Sequence, residues 1–511
     1  MLAIGEGLGV AVAATVLGME ATPVRVEVSV TSGLPAFTVV GLPDASIHEA
    51  KERVRAAILS SGRQWPMQRI VVNLSPAHVR KVGSGFDLAI ALGILVADRQ
   101  IPPGVLDRTA ALAELSLDGA ARPIRGVLSA ATRLAEAGVQ RLFVSVGNAA
   151  EASIAGGLGI LPVDHLARCL AILEQGADPL PVPPAPPTIF HGYPDLADVR
   201  GNMAAKRALE IAAAGEHNLL MTGAPGAGKT MLAQRLPGIL PPLQQDEAVE
   251  VTRIHSIAGL LPEGAGLVGV RPFRAPHHSA TVAALVGGGG AVPLPGEVSL
   301  AHRGVLFLDE LGEFDRRTIQ SLRQPMEEGW VRIVRARWAA TFPARTMIVA
   351  ATNPCPCGFR GVEHRACRCP DSRIVAYAER LSGPVLDRID LQVAVPPTSG
   401  EELLGGGDGE ASAQVGIRVR EARRTQRRRW APHGFLTNAE LPAKGMVELA
   451  GVEPSAQRLL SRAVDDEGLS GRAAHRVIRV ARTISDLAGL EAVSVTQIRE
   501  ALTLRVAGSH P

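Results

Sequence analysis

Eight consecutive residues near the middle of the chain have the types and the spacing of a loop that binds phosphate groups. They fit the pattern G-x-x-x-x-G-K-[ST] without a mismatch and are Gly223, Ala224, Pro225, Gly226, Ala227, Gly228, Lys229 and Thr230. Glycines let backbone N–H groups close around phosphate oxygens at the positive end of the helix that follows. Lys229 can reach the β- and γ-phosphates, and Thr230 can hold Mg²⁺. The loop therefore predicts a site for ATP and Mg²⁺.

The residues on either side of this loop form the elements that must position it. An apolar run at 218–222 is typical of a buried strand, and residues 231–236 have a helical pattern. A strand, a glycine loop and a helix in this order are the context that the motif requires. This context disfavours the alternative, a glycine turn that happens to contain a lysine.

A second apolar run, residues 305–308, ends in two acids. At the end of a parallel strand, Asp309 can order the ligands of Mg²⁺ and Glu310 can polarise the attacking water. Without other motifs in the chain, this segment would be better interpreted as a core strand that happens to end in two acidic residues. The phosphate loop upstream in the same domain favours the catalytic one.

Two further residues follow apolar segments and could complete a nucleotide site. Asn353 ends the run 347–352 and could position the water between the phosphates and Glu310, although a strand cap is about as consistent with the sequence. Arg388 follows an apolar pair and could neutralise charge on a γ-phosphate if a neighbouring subunit presents it. The alternative is a salt bridge from Arg388 to Asp387 or Asp390 within one subunit.

Four of the five cysteines form two C-x-C pairs, namely Cys355, Cys357, Cys367 and Cys369. Four thiolates can close a tetrahedral Zn²⁺ site with no open position, which predicts a structural zinc. His364 replacing one ligand and four reduced thiols in a loop are the alternatives. Because Asn353 lies just before the first ligand, we expect the metal to fix the strand that carries it. Cys169 is expected to be a core thiol.

Three segments contain basic residues that could contact the phosphates of a nucleic acid. The first is a hairpin-like stretch with Arg332, Arg335, Arg337 and Arg345, and the second is the segment 271–290 with His277 and His278. The third segment, 418–429, contains seven arginines. A solvated helix face is an equally good interpretation of the third segment, because phosphate contacts need arginines aimed at one groove. A metal site at the two adjacent histidines is disfavoured, because adjacent side chains diverge on most backbones.

Composition limits the class of protein. The 511 residues suggest about three domains, and 46% hydrophobic with only 3% aromatic residues requires cores of Ala, Val, Leu and Ile. A net charge of +3 is too small to indicate nucleic acid by itself. No apolar run is long enough to read as a membrane span, and no cationic leader precedes an apolar segment at the start. We therefore expect a cytoplasmic protein with no membrane partner.

The pattern along the chain predicts three domains of an α/β protein. Residues 1–175 alternate strands and helices, with strands expected at 24–30, 36–40 and 68–74 and helices at 48–60 and 86–98. A Pro-rich linker at 176–194 leads to a nucleotide domain at 195–397. A glycine-rich break at 401–414 lies within the last region, 398–511, which is otherwise expected to be helical.

Several motifs together resemble a known family. The phosphate loop, Leu308-Asp309-Glu310, Asn353-Pro354 and Leu386-Asp387-Arg388 resemble AAA+ ATPases of the magnesium-chelatase-like branch. The segments 273–279, 353–358 and 382–384 narrow the resemblance to the ComM/YifB family, and the match spans nearly the whole chain. Members with known function are hexameric DNA branch-migration helicases of natural transformation. The resemblance therefore implies an ATP-dependent homo-hexamer that moves single-stranded or branched DNA through its pore, with recombination proteins as further partners.

The resemblance also assigns roles to particular residues. It makes Asn353 the first sensor, Arg388 the arginine finger and Arg472 the second sensor. A surface arginine at a helix start is the alternative for Arg472. In the branch that the chain resembles, the hairpin before Asn353 and the insertion near 271–290 face the pore, and the C-terminal helices form a lid.

The N-terminal third resembles the Lon-protease-like (ribosomal S5 domain 2-like) domain of the family, through the segments 33–37 and 41–44. Gly85 stands where Lon proteases carry the catalytic serine, which argues against proteolysis. Ser84 and Lys81 nearby are better interpreted as a structural helix entrance than as a catalytic pair. A magnesium-chelatase subunit, an ATP-dependent protease and an ATP-gated scaffold are the rival functions.

Overall fold

Two separate β-sheets organise the chain in the computed structural model. The structure describes residues 7–182, 193–290, 292–335, 338–362, 365–381, 385–398, 400 and 409–506. Most of the expected Pro-rich linker and of the glycine-rich break lie outside these residues. Arg337, His364 and the segment 382–384 also lie outside them.

The strands, in chain order, are β1 (Leu8–Leu17), β2 (Glu20–Thr31), β3 (Ala36–Val40), β4 (Arg69–Ser75), β5 (Thr109–Leu112), β6 (Glu114–Leu115), β7 (Ala121–Arg122), β8 (Arg141–Ser145), β9 (Gly159–Val163), β10 (Leu219–Thr222), β11 (Phe273–Arg274), β12 (Gly287–Gly288), β13 (Leu294–Pro295), β14 (Val305–Leu308), β15 (Trp330–Arg335), β16 (Trp338–Pro343), β17 (Met347–Thr352) and β18 (Leu391–Ala394).

The helices, in chain order, are α1 (Ala45–His48), α2 (Ala50–Ser60), α3 (Asp87–Ala97), α4 (Val127–Glu136), α5 (Val146–Ser153), α6 (Leu166–Gln175), α7 (Met203–Gly215), α8 (Lys229–Ile239), α9 (Gln245–Ala258), α10 (Val282–Val286), α11 (Glu297–Leu300), α12 (Arg316–Gln320), α13 (Arg323–Glu328), α14 (Asp371–Leu381), α15 (Ser412–Trp430), α16 (Met446–Leu449), α17 (Pro454–Glu467), α18 (Gly471–Leu487) and α19 (Val495–Val506).

The N-terminal sheet has seven strands within the described residues, in the order β3-β4-β2-β1-β5-β8-β9. Strand β2 shows the predicted period of two: its valines from Val24 to Val30 are buried, whereas Arg25 is exposed. Helix α3 is buried at every position, as expected of a helix that covers the sheet. The strands and helices predicted between residues 24 and 98 are confirmed to within a few residues.

The second sheet is a parallel sheet in the order β11-β14-β17-β10-β18. Its apolar strands are buried on both faces because helices cover both sides. In β14, Val305 and Phe307 belong to one core, and Leu306 and Leu308 belong to the other. The sequence therefore shows no alternation here, and a continuous apolar run marks a central strand.

Two small additions project from this sheet before strand β17. Helix α10 with the short β12–β13 pair forms an insertion between β11 and β14. Strands β15 and β16 form an antiparallel hairpin with the register Trp330↔Pro343, so the predicted hairpin is confirmed. The chain after residue 409 is helical, with short turns between helices α15 to α19. Among the described residues, none of the helices combines the length and the apolar character needed to span a bilayer.

Candidate nucleotide-binding and metal sites

The phosphate-loop motif joins the carboxyl end of β10 to the first residue of α8. Gly228 has φ +89° and caps α8 in the left-handed region, and Gly226 has φ +80°. A Cβ at Gly226 would meet no atom within 4 Å, so the loop curves around open space. At Gly223, a Cβ would lie 2.3 Å from the Val395 carbonyl oxygen, so a side chain there would clash with the end of β18. The fold therefore requires glycine at these positions, for positive φ at Gly226 and Gly228 and for close packing at Gly223.

The ammonium group of Lys229 donates hydrogen bonds to three oxygen atoms of the protein, and a bound phosphate would take the place of these acceptors. The Lys229 ammonium donates to the carbonyl oxygens of Gly223 at 2.6 Å and Ala224 at 2.9 Å. It also donates to Oδ1 of Asn353 at 3.1 Å. Burial lowers the pKa of Lys229, while Asp309 and Glu310 oppose this effect. Asn353 therefore faces the phosphate loop, and the strand-cap interpretation does not account for its side chain.

The two residues predicted to hold Mg²⁺ lie in direct contact. The Thr230 hydroxyl donates to Oδ2 of Asp309 at 2.6 Å, and the backbone N–H of Glu310 donates to Oδ1 of Asp309 at 2.9 Å. A hydroxyl and a carboxylate are hard oxygen ligands of the kind that Mg²⁺ prefers. The donor set therefore fits the metal that the loop implies.

Glu310 is exposed beside the phosphate loop and has a partner that sequence reasoning missed. Its φ of +53° is unusual for a residue other than glycine and turns the chain sharply after β14. Nδ1 of His278 lies 3.2 Å from Oε2 of Glu310. The sequence suggests two roles for His278, in a segment that could hold DNA and as a metal ligand with His277, but not this contact with Glu310. Among the described residues, the group of side chains with metal-ligand spacing is the cysteine cluster, which contains neither histidine.

Arg388 lies at the opposite edge of the sheet from the phosphate loop. It precedes β18, and its carbonyl oxygen accepts a hydrogen bond from Nδ2 of Asn218, which precedes β10. The two strands are parallel, so this edge carries their amino ends, whereas Gly223 follows the carboxyl end of β10. Arg388 is therefore separated from its own phosphate loop by the length of a strand.

A salt bridge to Asp387 or Asp390, its neighbours in sequence, is the alternative role for Arg388. Arg388 pairs with Glu327 of α13, whereas Asp390 lies 3.6 Å from Nε of Arg476. Burial and the nearby charges of Arg323, Arg472 and Arg476 lower the pKa of Arg388. Glu327 and Arg476 belong to segments that are distant in sequence from Arg388 and Asp390, so the spacing of charges along the chain does not identify these pairs.

Arg388 and Arg472 line one cavity of ≈ 600 Å³. Arg472 is in the first turn of α18, next to Ser470, which caps that helix. Other basic side chains around the cavity are Arg345, His475, Arg476 and Arg479. Among the described residues, five acids also line the cavity: Glu216, Glu327, Glu328, Asp390 and Glu440. An incoming anion would therefore compete with carboxylates such as Glu327, which pairs with Arg388.

The four cysteines converge as a metal site requires. The sulfur of Cys355 lies 3.4 Å from that of Cys357 and 3.6 Å from that of Cys367, and all four sulfurs lie within 4.8 Å of one another. A tetrahedral Zn²⁺ site with Zn–S bonds of about 2.3 Å places its sulfurs about 3.8 Å apart. Backbone N–H groups of Phe359 and Arg368 lower the pKa of Cys357 to about 6. The donor set fits zinc.

The cysteine loop packs directly against the nucleotide site. Gly358 has φ +82°, and a Cβ on it would lie 2.4 Å from Cδ of Pro225 in the phosphate loop. The same Cβ would lie 3.7 Å from Cγ of Asn353. We expected the metal to fix the Asn353 strand; the contact with Pro225 was not foreseen, because the phosphate loop is more than a hundred residues away.

Away from these sites, several predictions can be compared with the structure. Cys169 is fully buried and burial raises its pKa, as expected of a core thiol. The Ser84 hydroxyl donates to Glu114, and the Lys81 ammonium donates to the Pro76 carbonyl oxygen. Each side chain therefore has a separate partner, which agrees with a structural helix entrance.

The arginine-rich segment 418–429 is mostly engaged within the chain. It forms most of helix α15, and four of its arginines contact other segments: Arg418 contacts Glu210 and Glu410, Arg423 contacts Glu216, Arg427 contacts Glu247, and Arg429 contacts Asp486. The structure thus favours a packed helix over a DNA-binding surface there. By contrast, Arg332 and Arg335 of the β15–β16 hairpin are exposed.

Comparisons with known proteins find similarity to one family along nearly the whole chain. Models described as magnesium chelatase, subunit ChlI; subunit ChlI of Mg-chelatase; and magnesium chelatase, subunit ChlI C-terminal match residues 195–403, 26–148 and 409–505. An uncharacterised protein of Mycobacterium tuberculosis is 42% identical over 503 residues, covering 98% of this chain and 99% of that protein. Competence protein ComM of Haemophilus influenzae is 42% identical over 498 residues, covering 96% of both. Protein YifB of Escherichia coli is 42% identical over 491 residues, covering 96% of this chain and 95% of YifB.

Proposed function

The chain belongs to the ComM/YifB family of Mg-chelatase-like AAA+ proteins, and from this premise we propose that it is an ATP-driven homo-hexameric motor that moves DNA. The observation that carries the proposal is the division of catalytic groups between two edges of one sheet. The phosphate loop, Asp309, Glu310 and Asn353 meet at one edge, and Arg388 with Arg472 lies at the other. A head-to-tail ring brings the two edges together at each subunit interface.

The proposed reaction is hydrolysis of ATP. The loop's N–H groups and Lys229 bind the phosphates, while Thr230 and Asp309 would hold Mg²⁺. When bound, Mg²⁺ neutralises charge on the β- and γ-phosphate oxygens. Glu310 accepts a proton from the water whose oxygen bonds to the γ-phosphorus, and the bond to the β–γ bridging oxygen breaks to release ADP.

The remaining groups of the site orient water and stabilise charge. Asn353, 3.1 Å from the Lys229 ammonium, is placed to orient the attacking water. Arg388 and Arg472 stabilise the negative charge of the γ-phosphoryl group bound to the neighbouring subunit. His278 holds the Glu310 carboxylate through its 3.2 Å contact before substrate arrives.

The hairpin β15–β16 is the proposed DNA contact. Arg332 and Arg335 are exposed on it, and Val334 between them is 61% exposed. Exposed guanidinium groups bind phosphates without regard to base sequence, which suits a motor that moves along DNA. The name of the Haemophilus relative, a competence protein, favours DNA over a porphyrin substrate. We propose branch migration in natural transformation or homologous recombination, in the cytoplasm and with recombination proteins as partners.

The domain roles follow from the same premise. Residues 1–175 form a Lon-protease-like domain without peptidase activity, joined by the linker 176–194 to the ATPase domain 195–397. A Cβ at Gly85 would lie 2.7 Å from Cδ1 of Ile124, so a serine there would require the end of the Ile124 side chain to move. Residues 398–511 form the helical lid.

The experiment that tests the function is ATP turnover with and without DNA. We expect single-stranded and branched DNA to stimulate turnover, and an Arg332→Ala/Arg335→Ala protein to lose stimulation while keeping its basal rate. The matched control is Arg420→Ala/Arg424→Ala, which removes two exposed arginines from α15 and should remain DNA-stimulated. A wild-type rate that is unaffected by either DNA, or that responds instead to a porphyrin, would contradict the proposal.

A zinc content of one equivalent per subunit is a second prediction. Four convergent thiolates bind Zn²⁺ tightly enough that the metal should survive purification without chelator. Metal analysis should find about one zinc per chain in wild type and little in a Cys355→Ser/Cys367→Ser protein. Cys169→Ser is the control, since that thiol lies in a separate core and its loss should leave the zinc content unchanged. Fresh, reduced wild type without zinc would argue for four free thiols.

A further inference from the structure

The turn between β1 and β2 lies directly on strand β16 of the hairpin. Gly18 in this turn has φ +62°, and a Cβ on it would lie 2.8 Å from Cβ of Ala340 and 3.8 Å from Cζ of Phe342. The flanking residues Leu17 and Met19 pack against the core that contains Phe342. The N-terminal domain thus contacts the middle of strand β16, where the Gly18 backbone comes so close that a side chain at this position would clash.

Polar contacts on α9 fix the same arrangement. The Arg253 guanidinium donates to the Met19 carbonyl oxygen at 3.1 Å and to the Ser129 hydroxyl at 3.1 Å. The Ser256 hydroxyl donates to Oε1 of Glu151 at 2.5 Å, and both side chains are buried. Burial raises the pKa of Glu151, which otherwise accepts hydrogen bonds from its surroundings. Buried polar groups are costly when separated from their partners, so the two domains are held in one relative position.

The hairpin is in turn tied to the insertion between β11 and β14. Nε1 of Trp338 donates to the Gly290 carbonyl oxygen at 3.0 Å, and a Cβ at Gly287 would lie 2.7 Å from Cδ1 of Ile333. Residues Val292 and Leu294 of the insertion also line a cavity of ≈ 470 Å³, whose other walls come from the N-terminal domain and from Ile257 of α9. The two segments expected at the pore therefore form one packed unit with that domain.

From these contacts we propose that the N-terminal domain is a rigid support for the hairpin, an inference that rests on the proposed DNA motor. The support contacts strand β16 at Ala340 and Phe342, while Arg332, Val334 and Arg335 of β15 remain exposed and available to DNA. A close-packed contact transmits force because it has little room to deform. With the support in place, movement of the ATPase domain during ATP hydrolysis displaces the DNA. Without the support, the same movement would displace the hairpin relative to its own domain.

The first test is hydrogen exchange in the absence of DNA. Gly18→Val introduces a clash with Ala340, and Arg253→Met removes two hydrogen bonds between the domains while keeping an unbranched side chain. Both should increase exchange of the β16 amides. Gly62→Val is the control, because Gly62 has a similar φ of +73° but no atom within 4 Å of its Cβ position. Exchange unchanged in both test variants, in folded protein, overturns the proposal.

The second test measures coupling between ATP use and DNA movement. We expect ATP binding and basal turnover to stay within about twofold of wild type, while ATP consumed per base pair of branch migration rises about 2- to 30-fold in Gly18→Val and Arg253→Met. If the ATP consumed per base pair is unchanged in both variants, the proposal that the N-terminal domain supports the hairpin is wrong. A wild type that neither moves DNA nor is stimulated by it refutes the motor instead, and in that case the exchange measurement still decides whether the support exists.

Discussion

Purified Glu310→Gln protein is expected to bind ATP with nearly wild-type affinity and to hydrolyse it about 10²–10⁴ times more slowly. The substitution keeps the size of the side chain but removes the base that accepts the proton of the attacking water. Lys229→Ala should instead lose binding, because the ammonium that lies against the loop carbonyl oxygens is the group that meets the phosphates. Equilibrium binding of a fluorescent ATP analogue and single-turnover hydrolysis separate the two effects.

The control for the glutamate is Glu313→Gln. Glu313 is an exposed acid in the turn that follows Glu310, and it does not lie at the end of β14. Its loss should leave turnover within about twofold of wild type, as for most surface substitutions. Normal hydrolysis by Glu310→Gln would remove the assignment of Glu310 as the base, and lost hydrolysis in Glu313→Gln would show that the assay responds to any acid nearby.

A mixture of two inactive proteins, Arg388→Ala and Lys229→Ala, should recover part of the ATPase activity. Arg388 lies a strand's length from its own phosphate loop, so in the proposed ring it acts on the site of a neighbouring subunit. Loss of such a guanidinium lowers hydrolysis about 10³–10⁵-fold. In mixed rings, an Arg388→Ala subunit supplies an intact loop and a Lys229→Ala subunit supplies an intact arginine, and random assortment pairs them at about a quarter of the interfaces.

The matched control for this mixture is Lys229→Ala with Glu310→Gln. Both changes lie at the same edge of the sheet, so no pairing of these subunits gives an intact site and no activity should return. Arg472→Ala should behave like Arg388→Ala, because the two arginines share one cavity. If subunit exchange is demonstrated and the first mixture stays inactive, Arg388 does not act across the interface.

Local patterns in the sequence predicted the parts of the site that depend on local geometry. The phosphate loop requires glycines at 226 and 228 for positive φ, and parallel strands carry their last residues to one edge, so Asp309 and Asn353 could be placed beside Lys229. The contact between Thr230 and Asp309 follows from the same rule. Each of these predictions needed only a strand, its direction and the residue after it.

The features that escaped prediction are contacts between distant segments. The arginines of α15 bind acids such as Glu210 and Asp486, and nothing in the spacing of the helix identifies those partners. His278 reaches Glu310 through a loop whose path no periodicity describes. The contact of Gly18 with Ala340 depends on how two domains pack. A glycine in a hairpin turn is already explained by its positive φ, so the sequence gives no reason to expect a contact with another domain.

The placement of catalytic groups at opposite edges of one sheet has a genetic consequence. In the proposed ring, a chain that carries Lys229→Ala and Arg388→Ala together inactivates the site on its own phosphate loop and the site of the neighbouring subunit to which it supplies its arginine. Each such chain therefore removes two sites when both of its neighbours in the ring are wild type. Expressed beside the wild-type gene, the double mutant should be dominant, and more severely so than either single mutant, whereas a chain that cannot enter rings should be recessive.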